Sequence, residues 1–81
     1  MKIHYAPKFK EGLETFHGKI REKLYKQVSL LQQNLLYPSL HAKKYKGATD
    51  TWQARVDKNV RFYFKIDGDT IILLSIKKHP K

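Results

Sequence analysis

Residues 52–76 read WQARV-DKN-VRFYFKI-DGD-TIILLSI, three strand-like runs joined by two short turn signals. Trp52, Ala54 and Val56 alternate with Gln53 and Arg55, and Val60, Phe62, Phe64 and Ile66 alternate with Arg61, Tyr63 and Lys65. Successive side chains of a strand point to opposite faces, so this pattern predicts one apolar face and one cationic face. Asp67-Gly68 suits a tight hairpin because Gly takes a positive φ without a Cβ clash. Asp57-Lys58-Asn59 predicts a three-residue hairpin loop with Asn59 in the left-handed conformation. The run Ile71, Ile72, Leu73, Leu74 does not alternate, which predicts an interior strand, covered on both faces and flanked on both sides.

The rest of the chain supplies what covers the apolar face. Residues 1–6 alternate Ile3 and Tyr5 with Lys2 and His4 and read as a short strand. Pro7 ends it and suits the first turn of a helix. Phe9, Leu13 and Phe16 recur at helical spacing, against which Gly12 costs about 1 kcal/mol relative to Ala. His17-Gly18 turns the chain. Residues 19–36 then place Ile20, Leu24, Val28, Leu31 and Leu35 on one helix face, with Tyr37-Pro38 as the stop. Residues 39–50 read as a basic loop whose Leu40 tucks into the core edge. The predicted fold is a single α+β domain over residues 1–81, with two layers. A helical hairpin packs on one face of a four-stranded, mainly antiparallel sheet, in the order strand-helix-helix-strand-strand-strand. The first strand must be the second neighbour of the last one.

Length and charge narrow the function. A chain of 81 residues builds one small core and a shallow surface site rather than a deep pocket. It has no cysteine, hence no disulfide framework and no thiolate chemistry, which fits a reducing cytoplasm. The sequence has no membrane-length apolar stretch and no signal-peptide pattern, so a cytoplasmic location away from membranes is expected. Seventeen Lys and Arg against seven Asp and Glu give a net charge of +10. An excess of that size favours a polyanionic partner, nucleic acid first and an acidic protein second.

Three constellations could carry chemistry. Arg55 and Arg61 form a cationic pair on the open face if the hairpin register places them on the same side, and guanidinium matches phosphate as a planar fork. Lys65 and Tyr63 share that face of their strand. The competing reading is an ordinary solvated face, but no Asp or Glu lies near the two arginines in either strand. Second, Lys43, Lys44 and Lys46 surround Tyr45 and suit the backbone of a nucleic acid, while packing at the sheet edge is the favoured role for Tyr45. Third, His79 follows the interior strand, and an imidazole with its ordinary pKa near ~6.5 can move a proton at neutral pH. Cleavage of RNA by its 2′-OH needs such a group together with cations for the phosphorane-like transition state. Taken alone, a histidine that near the chain end reads as merely exposed. His4, His17 and His41 lack metal-ligand spacing, so no metal site is read, and no cofactor motif is present.

The order of elements and the segments PSLHAKKYKG, WQARV, VRFYFKI and IILLSIKKH together resemble the RelE/ParE superfamily of bacterial toxin–antitoxin toxins, over nearly the whole chain. Each segment is short; their order and spacing carry the resemblance. It implies the toxin of a type II toxin–antitoxin system, a ribosome-dependent endoribonuclease (mRNA interferase) that inhibits translation. Ribosome, mRNA and a cognate acidic antitoxin would be its partners. Matched by motif, Lys44 and Lys46 fall on the loop lysines, Arg55 on the basic position of the second strand, and Arg61 on the phosphate-binding arginine of the third. His79 falls where such toxins carry Arg or His. The resemblance therefore assigns catalysis to Arg61, His79 and Arg55 and RNA binding to Lys44 and Lys46, and the basic loop and open strand face add Lys43, Lys65 and Tyr63 to the expected RNA-binding set. One departure is that no Phe, Tyr or Trp follows Phe64, whereas RelE-type toxins usually carry a late Tyr that stacks on the substrate base. Tyr63 or Tyr45 would have to supply that role. ParE-type members inhibit DNA gyrase on the same fold, so a gyrase inhibitor or a non-cleaving binding module is the alternative.

Overall fold

The alternation in residues 60–66 becomes strand β4 (Val60–Asp67), the centre of the sheet. Around it, a computed structural model describes residues 1–45 and 50–79. β1 (Lys2–Tyr5) leads into α1 (Pro7–Glu14) and α2 (Gly18–Gln33). A single 3₁₀ turn (Pro38–Leu40) precedes β2 (Lys43–Lys44), β3 (Trp52–Arg55), β4 and β5 (Thr70–Lys78). The sheet order is β1-β5-β4-β3-β2, with β1 parallel to β5 and the other pairs antiparallel. The expected interior place of the last strand, with β1 as its second neighbour, is what forms.

Five strands are present among the described residues rather than four. The additional one is β2, where Lys43 pairs with Gln53 and Lys44 with Trp52. A run of lysines carries little strand signal, but a very short, lysine-rich strand is a common way to finish a sheet edge. Tyr45 extends this ladder by donating its N–H to the Thr51 carbonyl at 2.8 Å.

Apolar residues of both layers meet in one core. Phe9, Leu24 and Leu31 from the helices pack with Phe62, Phe64, Leu73 and Ala54 from the sheet, and Leu40 closes the edge as expected. Pro7 occupies the first turn of α1. The Gly12 penalty has a reason in the packing: a Cβ there would lie 3.2 Å from Cγ2 of Ile76 and 3.4 Å from its carbonyl. The glycine lets α1 lie against β5.

Three local expectations are corrected. α2 ends at Gln33, before Tyr37-Pro38, because Asn34 turns to an extended backbone and its Oδ1 accepts the Leu36 N–H at 2.9 Å. Asn and Asp favour such local bonds over helix continuation. In the β3–β4 loop Asn59 is not left-handed; the carboxylate of Asp57 instead accepts the N–H groups of Asn59 and Val60 at 2.8 and 2.9 Å. In β5 the apolar run is not covered on both faces. A bulge opposite Tyr63 and Phe64 leaves Leu74 as an extra residue, so Leu73 and Ile76 both face the helices while Ile72 and Leu74 are half-buried on the open face. No described helix is long and apolar enough to cross a membrane.

Candidate nucleic-acid interface

Register decides what the open face presents. Arg55 lies directly opposite Arg61 across β3 and β4, and Arg61 lies opposite Lys77 across β4 and β5. Directly opposed residues share a face, so the two arginines and Lys77 form one cationic row. Beside it is a cleft of about 390 Å³ lined by His41, Ala42, Lys43, Gln53, Arg55, Arg61 and His79. The lining contains three permanent cations and two imidazoles, and no carboxylate. Like charges gathered on a concave surface raise its affinity for an anion.

The anchoring of these groups differs. Arg61 is expected from its alternation to stand in solvent, but it retains just 5% of its exposure. Its Nη1 donates to the carbonyls of Asp57 at 2.7 Å and Val60 at 3.3 Å, and it makes no ion pair among the described residues. Carbonyls hold a guanidinium in place without cancelling its charge. Arg55 is half-buried. The backbone of His79 donates to the Asn59 carbonyl at 2.7 Å, so this histidine is tied to the β3–β4 loop. His41 sits in the left-handed region at φ 48°, ψ 40°, an uncommon place for a residue with a Cβ, with Nδ1 3.4 Å from the Ser39 carbonyl.

A second depression, of about 460 Å³, adjoins His79 from the other side and is lined by Thr15, Phe16, His17, Ile20, Asp57, Asn59, Val60 and Lys78. It lacks the arginines, and its carboxylate, Asp57, is engaged with the loop and with Lys23 at 3.6 Å. For a phosphate ligand the smaller, carboxylate-free cleft with its three permanent cations is the better match.

The lysines separate. Lys43 pairs with Gln53 and lines the cleft, whereas Lys44 pairs with Trp52 and holds its Nζ 5.9 Å from the indole centroid. Adjacent strand residues face opposite ways, so of the two it is Lys43 that joins the arginines. Lys46 lies outside the described residues. Lys65 is exposed on the open face, about 13 Å further along β4 from Arg61 at 3.3 Å per residue. Tyr63 is half-buried two residues from Arg61, with Tyr45 edge-on at 5.2 Å between ring centroids and Lys77 at 6.0 Å. Burial, and then the neighbouring Tyr45 hydroxyl, raise the Tyr63 pKa against the opposite pull of Arg61, so the phenol stays neutral.

Sequence reasoning missed three contributors. In the sequence His41 stands out solely as a candidate metal ligand, and its place depends on a left-handed turn that no spacing reveals. Gln53 has no mark in the sequence beyond its outward place in the alternation, yet it lines the cleft. Gln27 is 7% exposed on α2, and its Nε2 donates to the carbonyls of Ser39 at 3.1 Å and Arg55 at 2.9 Å. It thereby ties β3 to the turn before β2. A glutamine among Leu24, Val28 and Leu31 on the apolar stripe was the available signal. No group of metal-ligating side chains occurs among the described residues.

No family model matches the chain, and no curated protein does. Solved structures do. A YoeB/ParE toxin from Agrobacterium tumefaciens superposes with a TM-score of 0.82 at 15% identity, over 99% of this chain and 100% of the other. YoeB from Staphylococcus aureus, solved as a dimer, gives 0.83 at 21% identity, over 99% and 98%. A structure of the RelB–RelE antitoxin–toxin complex from Methanococcus jannaschii gives 0.76 at 26% identity, over 93% of this chain and 88% of the matched one.

Proposed function

This chain has the fold of the RelE/ParE superfamily, and from that premise we propose that it is the toxin of a type II toxin–antitoxin system that cleaves mRNA on the ribosome. The observation that carries the reading is the pairing of Arg55 with Arg61 in a carboxylate-free cleft that also holds His79. RNA cleavage without a metal needs three things in one place: a proton acceptor for the 2′-OH, cations on the non-bridging phosphate oxygens, and a proton donor for the departing 5′-oxygen. His79 as neutral imidazole takes the 2′-OH proton as that oxygen attacks phosphorus. Arg61 and Arg55 stabilise the added negative charge. The bond to the 5′-oxygen breaks, and His41 as imidazolium protonates it, leaving a 2′,3′-cyclic phosphate and a 5′-hydroxyl. Lys43 holds the neighbouring phosphate, Lys44 and Lys65 add attraction at longer range, and Lys46 adds its charge to the RNA-binding set.

The partner follows from the charge. A basic face on a chain of net charge +10 suits an acidic antitoxin that folds over it, and the Methanococcus jannaschii neighbour was solved with its antitoxin. On this reading the activity belongs in the cytoplasm, where ribosomes translate mRNA. The test is tightly controlled expression followed by mapping of mRNA 5′ ends. Breaks at codons, in frame with translation, are expected; DNA breaks with intact messages would instead identify a gyrase inhibitor.

A further inference from the structure

Two polar side chains are buried among the described residues: Arg61, in the cleft, and Gln27, on the core face of α2. We propose that Gln27 is a positioning residue for His41, a strut from the end of β3 to the turn bearing that histidine, which makes Nε2 the ring nitrogen that serves the leaving group. This deepens the nuclease reading and rests on it, since there His41 gives its proton to the departing 5′-oxygen.

Burying an amide among Leu24, Val28 and Leu31 costs free energy unless its polar atoms are bonded. Both Nε2 hydrogens of Gln27 are used, one on the Ser39 carbonyl at 3.1 Å and one on the Arg55 carbonyl at 2.9 Å, and Oε1 accepts from the Ser39 hydroxyl at 3.4 Å. Carbonyls can only accept, which fixes the way round that the amide sits. The two ends of this strut differ. The sheet holds Arg55, which pairs with Arg61, and the next residue, Val56, donates to the Val60 carbonyl at 2.9 Å. Ladder bonds alternate in an antiparallel pair, so the Arg55 carbonyl turns away from β4 toward the β2 side. There the β2 ladder ends at Lys43 and Gln53, two residues short of Arg55, and Gln27 supplies the missing partner. The other end is a single 3₁₀ turn followed by the left-handed His41. Gln27 therefore carries the order of the sheet to that turn. On the same Ser39 carbonyl, Nδ1 of His41 lies at 3.4 Å. Because the carbonyl cannot donate, Nδ1 keeps its hydrogen and Nε2 is the nitrogen that releases one. A donor held this way is already oriented when the bond breaks.

The experiment compares two messages on programmed ribosomes, an ordinary one and one with sulfur in place of the bridging 5′-oxygen at the cleaved codon. With sulfur the 2′-oxygen still attacks phosphorus, the P–S bond breaks, and a thiolate leaves that is stable near neutral pH without a proton donor. Gln27→Met keeps the shape of the side chain and loses both donors. On the ordinary message it should slow single-turnover cleavage by about 10- to 10²-fold, the scale of a small misplacement. The salt slope of RNA binding should stay unchanged, because no cation is lost. On the sulfur message Gln27→Met should return to the parental rate, as should His41→Ala, whereas His79→Ala and Arg61→Lys stay slow on both. Gln27→Asn, one methylene too short to reach both carbonyls, should show the same pattern to a smaller degree, and it carries the test if Gln27→Met fails to fold. A readout independent of cleavage is the nitrogen NMR signature of the neutral His41 ring. It should be that of the Nδ1–H form in the parental protein and move toward the Nε2–H form in the Gln27 variants, with His4 and His17 unmoved. A parental rate in the Gln27 variants, a deficit equal on both messages, or an unmoved His41 ring would overturn the strut. A ring that moves while the parental protein leaves messages intact removes the nuclease reading and keeps the strut.

Discussion

Two hairpin turns cap the ends of β4, both begin with an aspartate, and they are built in opposite ways. At the Gly68 end the turn is local: Gly68 has φ +60°, the first-position glycine of a type II′ hairpin, and Asp67 pairs with Thr70 to close it. At the other end the loop reverses without a left-handed residue. Asp57 folds it with two side-chain bonds, its carbonyl holds Arg61, the Asn59 carbonyl holds the backbone of His79, and Lys23 approaches from α2. A turn that merely reverses the chain needs one permissive residue. A turn that positions two functional groups is held by contacts from distant parts of the chain, and the cationic cleft forms at that end.

The sharpest way to break this contrast is through His79. His79→Ala should slow single-turnover cleavage on ribosomes by about 10²–10⁴-fold, the usual worth of a general acid–base group. Binding should stay near parental. A parental rate would reduce His79 to a tail residue anchored for no chemical purpose. Next, Arg61→Lys keeps a charge but loses the fork; it should cost about 10²–10³-fold in rate, on the scale of one transition-state donor. Unfolding melts run alongside separate that loss from a loss of structure.

Smaller effects compare the turns themselves. Asp57→Ala should destabilise by about 1–2 kcal/mol, since two backbone donors lose a charged acceptor. In a domain of this size that lowers Tm by roughly 4–16 °C. The Lys23 ion pair is a minor part of it, with that lysine 56% exposed. Asp69→Ala at the opposite turn should stay within about 0.5 kcal/mol, as for most surface substitutions. Equal melting shifts at the two turns would refute the distinction. The finest comparison is Lys43→Ala against Lys65→Ala in binding to single-stranded RNA. Loss of the cleft lysine should flatten the salt slope by about 0.7, one phosphate contact, and loss of the distal lysine by less.

Alternation and punctuation determined much of this protein. They were enough for the two layers, the hairpins, the interior place of β5, the core faces of the helices and of β1, β3 and β4, and the resemblance to RelE/ParE toxins that superposition bears out at the level of fold. These are local properties: a period of two or 3.6, a proline, a glycine. Tertiary structure decided the site. Whether Arg55 and Arg61 met depended on pairing between strands, which fixes partners no single run can specify. Lys43 rather than Lys44 entered the cleft because β2 docked in one register on β3. His41 and Gln27 joined because a left-handed residue and a buried amide became favourable once neighbouring elements supplied their bonds. Such conformations are unfavourable for an isolated segment and are stabilised by contacts that exist once the chain has folded.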